Sequence, residues 1–253
     1  MSAERGSVQS LTRAFEVLEA MADAQGSISL SELSTTTGMP LATIHRILQT
    51  LSAGGYVRQE PSREYALGSR LLRLNNAATR ALDQVAAPHL RTLVDELGET
   101  ANLAALEANH AVYVAQAPSR HAMRMFTEVG RRVSLHSTGV GKALLAQLDR
   151  DEAARLVART GLAAATDRTI VTADELLDHL ATIREHGWAV DDGEQEVGVR
   201  CVATAVPWRP RALAISISGP SERLTMAQLD MIGPLLQRVA SALAADLERD
   251  IDS

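Results

Sequence analysis

Apolar residues recur at helical spacing over residues 7–24, where Val8, Leu11, Ala14, Phe15, Leu18 and Met21 share one face before Gly26 stops the run. A second helix is expected over residues 29–37, a turn at Gly38-Met39-Pro40, and a third helix over residues 41–53. Gly38 can take a positive φ after the one helix, and Pro40 suits the start of the next, where its missing N–H costs nothing. In the third helix Ile44, Ile47, Leu48 and Leu51 should face a core. That leaves Ala42, Thr43, His45, Arg46, Gln49 and Thr50 outside: small, hydroxylated or basic groups rather than the Glu-rich face of a solvent helix. After Gly54-Gly55, two strand-like runs at 56–57 and 65–67 flank the turn Pro61-Ser62-Arg63-Glu64, whose tip should present Arg58 and Arg63. This is the order of a winged helix-turn-helix, with the helix-turn-helix at about 29–53 and its second helix shaped for the major groove. A helical hairpin on a small sheet, binding no nucleic acid, is the alternative.

Further on, residues 70–84 read as a helix with Leu71, Leu72, Leu74, Ala78 and Leu82 on its apolar side. Pro88 should interrupt it, and residues 89–96 restart a helix closed by Gly98. Strands are expected at 101–106, 111–115, 123–128, 188–191, 199–206 and 212–218. Helices are expected at 139–148, 151–158, 172–186 and 225–248, the third opened by a capping box of Thr172 and Glu175. This alternation suits an antiparallel sheet with helices packed on it, so the chain reads as an α+β protein.

Charge sharpens the first half of this picture. The whole chain carries −6, but residues 39–73 hold five arginines against two glutamates, a local +3. Positive charge is thus confined to the expected recognition helix and wing, while the acidic remainder discourages loose coating of DNA. So weakly basic a monomer would bind poorly, and two copies on a symmetric site far better. Lys142 is the one lysine; the other basic residues are arginine. The single cysteine, Cys201, precludes an internal disulfide framework. No apolar run is long enough to span a membrane, and the first residues lack the apolar stretch of a secretory signal, so a cytoplasmic location is expected.

Two stretches of the second half carry candidate chemistry. Gly139 and Gly141 precede or open a helix, where backbone N–H groups could hold a carboxylate or the glycines could simply permit a tight turn. A phosphate loop is excluded, because His136 stands where its first glycine belongs and Ala143 where Ser or Thr must follow the lysine. Ser216 and Ser218 lie two apart on one strand and so share a face, with Ile215 and Ile217 turned the other way. That polar face could line a pocket with Asp191 and Cys201, or could be merely wet. Cys201 and His136 could be drawn as nucleophile and base, but the cysteine sits in a buried-looking strand. No His or Cys spacing resembles a metal site, and no cofactor or metal is expected.

Taken in order, several strings resemble the IclR family of bacterial transcription regulators over nearly the whole chain. They are residues 8–14, Thr43-Ile44-His45-Arg46-Ile47-Leu48, Tyr65-Ala66-Leu67-Gly68, Leu135-His136-Ser137-Thr138 with Gly141-Lys142-Ala143-Leu144, Gly187-Trp188-Ala189-Val190-Asp191-Asp192, and Cys201-Val202-Ala203. The resemblance implies a winged helix-turn-helix at 7–70, a linker helix at 71–85, and a GAF-like effector-binding domain at 86–253 with an antiparallel sheet. It implies a dimer or dimer of dimers on pseudo-palindromic operator DNA, DNA contacts from Ala42, Thr43, His45, Arg46, Gln49, Arg58 and Arg63, and no membrane partner. Control by a small-molecule carboxylate effector follows from the same resemblance. Members that respond to glyoxylate in ureide metabolism use an Asp, a Cys and two Ser, matched here by Asp191, Cys201, Ser216 and Ser218, with backbone near Gly139 and Gly141. Whether Asp191 or Asp192 faces inward stays open. The chain departs from the family pattern at Ala205-Val206-Pro207 and in the basic turn Trp208-Arg209-Pro210-Arg211, which leaves that edge of the pocket undefined. The expected function is a repressor of a catabolic operon and not an enzyme. An activator of aromatic-acid catabolism, or a GAF-like enzyme with an accessory DNA module, are the alternatives.

Overall fold

The computed structural model describes residues 8–24, 26–125, 127–209 and 211–251, with the backbone alone for 76–81 and 251. Ser7, the side chain of Ala78, Phe126 and Pro210, each part of an expected element or turn, lie outside the described residues. The chain divides into two compact units, Met1–Ala78 and Thr79–Ser253.

The first unit contains α1 (Gln9–Asp23), β1 (Ser27–Ile28), α2 (Leu30–Thr37), α3 (Leu41–Ala53), β2 (Val57–Gln59) and β3 (Tyr65–Leu67). Ser29 starts α2 through a capping box: its hydroxyl accepts the Glu32 N–H at 3.2 Å, and the Glu32 carboxylate accepts the Ser29 N–H at 2.9 Å. Gly38 ends the helix at φ 68°, a left-handed conformation that suits glycine, and Pro40 caps α3. Val17, Met21, Leu33, Ile44, Leu48 and Val57 fill the core between the three helices and the small antiparallel sheet, ordered β1-β3-β2. Each such side chain contributes about 1.5–3 kcal/mol by leaving water.

The helix α4 (Arg70–Leu97) corrects the interruption expected at Pro88, for it runs through that residue unbroken. Proline removes one helical N–H, so the carbonyl four residues back loses its usual partner. Burial of Ala86, Leu90, Leu93 and Val94 on either side of the proline outweighs that loss.

The second unit continues with β4 (Thr100–Glu107), β5 (His110–Ala117), β6 (Arg132–Val133), α5 (Gly139–Leu145), α6 (Arg150–Thr160) and α7 (Ala173–His186). It ends with β7 (Ala189–Asp192), β8 (Val199–Val206), β9 (Leu213–Pro220), a short 3-10 turn at Met226–Gln228, and α8 (Leu229–Ile251). Six antiparallel strands form one sheet in the order β6-β5-β4-β9-β8-β7. One sheet face, with Leu103, Val202, Ile215 and Ile217, packs against Leu90 and Leu93 of α4 and Leu236 and Leu243 of α8. The other face presents Ala104, Ala189, Ala203 and Ala214 to Val140, Leu144, Leu156 and Leu180 of α5, α6 and α7. Alanines there let the short α5 lie close on the strands.

Two further expectations are corrected. Residues 123–128 are not a strand. The carbonyls of Met125 and Thr127 are met by side chains, Thr100 Oγ1 at 3.3 Å and Gln116 Nε2 at 2.8 Å, instead of by a strand ladder. Thr172 does precede α7, but its hydroxyl makes no cap bond to the backbone and reaches the Glu175 carboxylate at 3.4 Å.

Candidate functional site

In the first unit α3 exposes Ala42, His45, Arg46, Gln49 and Thr50, with Thr43 half-buried. Ile44 and Leu48 anchor the opposite side of the helix at 0% exposure. The Arg46 guanidinium therefore stands on the outer face, one turn from His45 and Gln49 in reach along the same surface. Arg63 occupies the wing turn at φ 70°, where the Arg63 N–H bonds to the Glu60 carbonyl at 2.9 Å. Arg58 is not at the tip. It lies on β2, and its guanidinium is held by Glu60 at 2.7 Å and by the Leu67 carbonyl at 3.4 Å. Arg70, counted with the local positive charge, is also engaged: it bonds the Gly54 carbonyl at 3.0 Å and stacks over Tyr56.

The second unit holds a small polar cavity of about 110 Å³. Its wall includes Tyr113, Thr127, Arg131, Thr138, Asp191, Gln195, Cys201 and Ser218. Strand register explains the grouping. Asp191 on β7 is paired with Cys201 on β8, Cys201 with Ser218 on β9, and Ser218 with Thr100 on β4. One row of polar side chains thus crosses four strands. The adjoining row on the same face runs Ala203, Ser216, Asn102 and Gln116.

Asp191, not Asp192, faces inward. Its Oδ1 accepts the N–H groups of Glu194 at 2.8 Å and Gln195 at 3.3 Å, which shapes the loop after β7. Burial pushes its carboxyl up to about 6, against the pull of those two N–H donors. Asp192 turns outward to Arg168 and Arg200. Burial likewise pushes the Cys201 thiol up to about 11, so it is unsuited to nucleophilic chemistry near neutrality. His136 gives it no base, since its ring Nε2 lies 3.0 Å from the Ala163 carbonyl. Behind the wall, Lys142 is wholly buried and its ammonium is shared between the Val190 carbonyl at 2.6 Å and the Glu194 carboxylate. This pair ties α5 to the loop that carries Asp191 and Gln195.

Gly139 and Gly141 serve close packing. A Cβ on Gly139 would stand 2.8 Å from the Cys201 sulfur, and one on Gly141 would stand 2.5 Å from the Leu135 backbone. The Gly141 N–H is taken by the Thr138 hydroxyl at 3.1 Å, so it is not offered to a ligand. Ser216 lies one step below the wall at 0% exposure. The unusual turn after β8 lines a separate hollow with Trp208, Arg209 and Arg211, at the far end of the β8–β9 hairpin from Cys201, so it does not edge the cavity. The sequence reading missed Tyr113, Thr127, Arg131, Gln195 and Asn102. Of these, Thr127 and Arg131 come from the stretch between β5 and β6, whose path only the sheet order reveals.

A winged helix-turn-helix with a basic outer face, joined in one chain to a domain with a small buried polar cavity, defines a ligand-responsive DNA-binding regulator. Residues 10–61 match the IclR helix-turn-helix domain, and residues 76–245 match the family described as bacterial transcriptional regulator IclR C-terminal. The chain is 37% identical over 242 residues to the transcriptional repressor IclR of Escherichia coli K12, covering 93% of this chain and 88% of that one. It is 34% identical over 250 residues to the HTH-type transcriptional repressor AllR of the same organism, covering 97% and 92%. The crystal structure of an IclR transcriptional regulator from Alicyclobacillus acidocaldarius superposes with a TM-score of 0.82 at 27% identity, covering 96% of this chain and all of that one. The protein belongs to the IclR family of bacterial transcriptional regulators and is a DNA-binding regulator of transcription.

Proposed function

We propose that this regulator is a repressor of a catabolic operon, released from a pseudo-palindromic operator by a small organic acid of the glyoxylate type. The observation that carries the reading is the cavity. At about 110 Å³ it is well below the roughly 300 Å³ at which pockets for drug-sized ligands begin, which favours an acid of a few heavy atoms over an aromatic one. Its wall offers hydroxyls from Thr127, Thr138 and Ser218, the Gln195 amide, and Arg131 as the one cation among the lining residues. These are donors suited to carboxylate oxygens. Asp191, with Oδ1 occupied by backbone, keeps Oδ2 for a hydroxyl or amide hydrogen of the ligand and disfavours a bare dicarboxylate.

The protein acts as a regulator and not as an enzyme, and it acts as a dimer or a dimer of dimers. Supporting self-association, α1 exposes Val8, Leu11 and Phe15 along one stripe, and α4 exposes Leu72 and Leu74. A surface with that much contiguous apolar area favours a partner. An effector can change operator affinity only by preferring one state, and operator must then change effector affinity by the same factor. The test is anisotropy of a labelled operator fragment titrated with protein, with and without glyoxylate, allantoate and benzoate. Operator affinity should fall at least about tenfold with the small acid. Release by benzoate alone would replace this reading with the aromatic one.

A further inference from the structure

The second polar row contains two buried groups that the protein itself leaves unanswered. Asn102 Nδ2 and Ser216 Oγ are both fully buried and neither has a hydrogen-bond partner. They belong to residues directly paired across β4 and β9. The orientation of the Asn102 amide is set by its other neighbours. Gln116 Nε2 donates to the Thr127 carbonyl at 2.8 Å, an acceptor only, so the Gln116 nitrogen must face that way. The same nitrogen reaches Asn102 Oδ1 at 3.2 Å, and Thr127 Oγ1 donates to that oxygen at 2.7 Å. With its oxygen facing the β5 side, Asn102 turns its NH2 away from β5. The Ser216 hydroxyl lies near the Cys201 sulfur, where it favours the thiolate, but it makes no hydrogen bond of proper geometry.

Unanswered buried donors are costly, and native proteins keep few of them. Here both adjoin the cavity: Thr127, which holds Asn102, and Ser218, two residues from Ser216 on the same strand face, line its wall. We propose that Asn102 and Ser216 form a second anchoring point of the effector site, and that they receive an oxygen acceptor beside the ligand's carboxylate. Asn102 is then a specificity-determining residue that selects 2-oxo acids over the corresponding simple acids. The inference rests on the small-acid reading above and adds to it which oxygen is recognised and by which residue. A site with two buried donors rejects a ligand lacking that oxygen, because binding it leaves both donors stranded and closed off from water.

The test is calorimetry of the full chain with four probes: glyoxylate and pyruvate, and acetate and propionate, which lack the 2-oxo oxygen. The wild type should bind each 2-oxo acid at least about tenfold more tightly than its partner acid. In Ser216→Ala and Asn102→Leu that preference should shrink towards unity, with acetate and propionate affinities changed less than about twofold. Should Asn102→Leu fail to fold, Ser216→Ala alone decides; removing an unpartnered hydroxyl should leave its unfolding temperature unchanged or raised. A preference that survives in Ser216→Ala, or a drop of several degrees in its unfolding temperature without ligand, overturns this inference alone. If none of the four acids binds the wild type, the small-acid reading falls and this inference with it.

Discussion

Gly139 and Cys201 touch: a Cβ on the glycine would stand 2.8 Å from the cysteine sulfur and 3.2 Å from the cysteine carbonyl oxygen. The first helix after the cavity wall is therefore seated on β8 with no room for a methyl group. Gly139→Ala should destabilise the second unit by about 1–3 kcal/mol. Cys201→Ala in the same chain should recover part of that loss, since it removes the sulfur but not the carbonyl. Thermal unfolding of the two single variants and the double variant gives the coupling energy, and strict additivity would show that the two side chains do not meet.

For the DNA surface, Arg46→Ala should weaken operator binding by about 1–3 kcal/mol and blur discrimination at one base pair, as loss of a base-edge contact does. Arg63→Ala should weaken all duplexes alike and flatten the salt dependence. Arg58→Ala should do less than either, because Glu60 already engages that guanidinium. Binding isotherms at several salt concentrations separate the three. Unchanged operator affinity in a folded Arg46 variant would take α3 out of the groove.

Asp191 sets a pH dependence of fixed sign. The folded state holds its carboxyl proton up to about 6, whereas the ordinary value is 3.8. Folded protein thus binds more protons than unfolded between those values, so the contribution to stability is full below about pH 4 and is lost as pH rises through 6. Asp191→Asn keeps an oxygen for the Glu194 and Gln195 N–H groups while removing the buried charge. It should raise stability by about 1–3 kcal/mol at pH 7.5 and by much less at pH 5. Equal gains at both values would mean that the carboxyl is not buried as described.

The Lys142–Glu194 pair should respond asymmetrically to substitution. Lys142→Met leaves a buried carboxylate without its cation and should cost about 3–5 kcal/mol. Glu194 already carries one unpartnered oxygen, and burial holds its carboxyl above the usual range, so Glu194→Gln should cost less. Chemical denaturation of both variants checks the order.

Self-association is expected to depend on α1. Phe15→Glu places a charge in the exposed stripe of Val8 and Leu11 and should shift a sedimenting dimer towards monomer at micromolar concentration. A wild type that sediments as monomer with and without operator would remove the proposed dimer.

The helix-turn-helix could be read from the chain because every local signal agrees there: period-3.6 burial of Ile44 and Leu48, a left-handed Gly38, and a proline at the next helix start. Asp191, Cys201, Ser216 and Ser218 were reachable for a related reason, since strand alternation puts residues two apart on one face. Asn102 was not. It becomes a neighbour of Ser216 only because β9 inserts between β4 and β8, a pairing that spans more than a hundred residues. The misread stretch at 123–128 has strand-like alternation, but Met125 and Thr127 turn to the cavity wall and their carbonyls are satisfied by side chains. Pro88 misled for the opposite reason, because long-range packing overrode a local breaker.

Lys142 is the chain's one lysine, and it is fully buried. The folded second unit consequently shows no side-chain amine to solvent, and every fixed positive charge on the protein's surface is a guanidinium. Acetylation or other amine-directed modification has no surface side chain on which to tune DNA affinity. A protease that cuts only after lysine has one side-chain target, and it becomes available only when α5 leaves the sheet, so the rate of that single cut reports the opening of the effector domain directly.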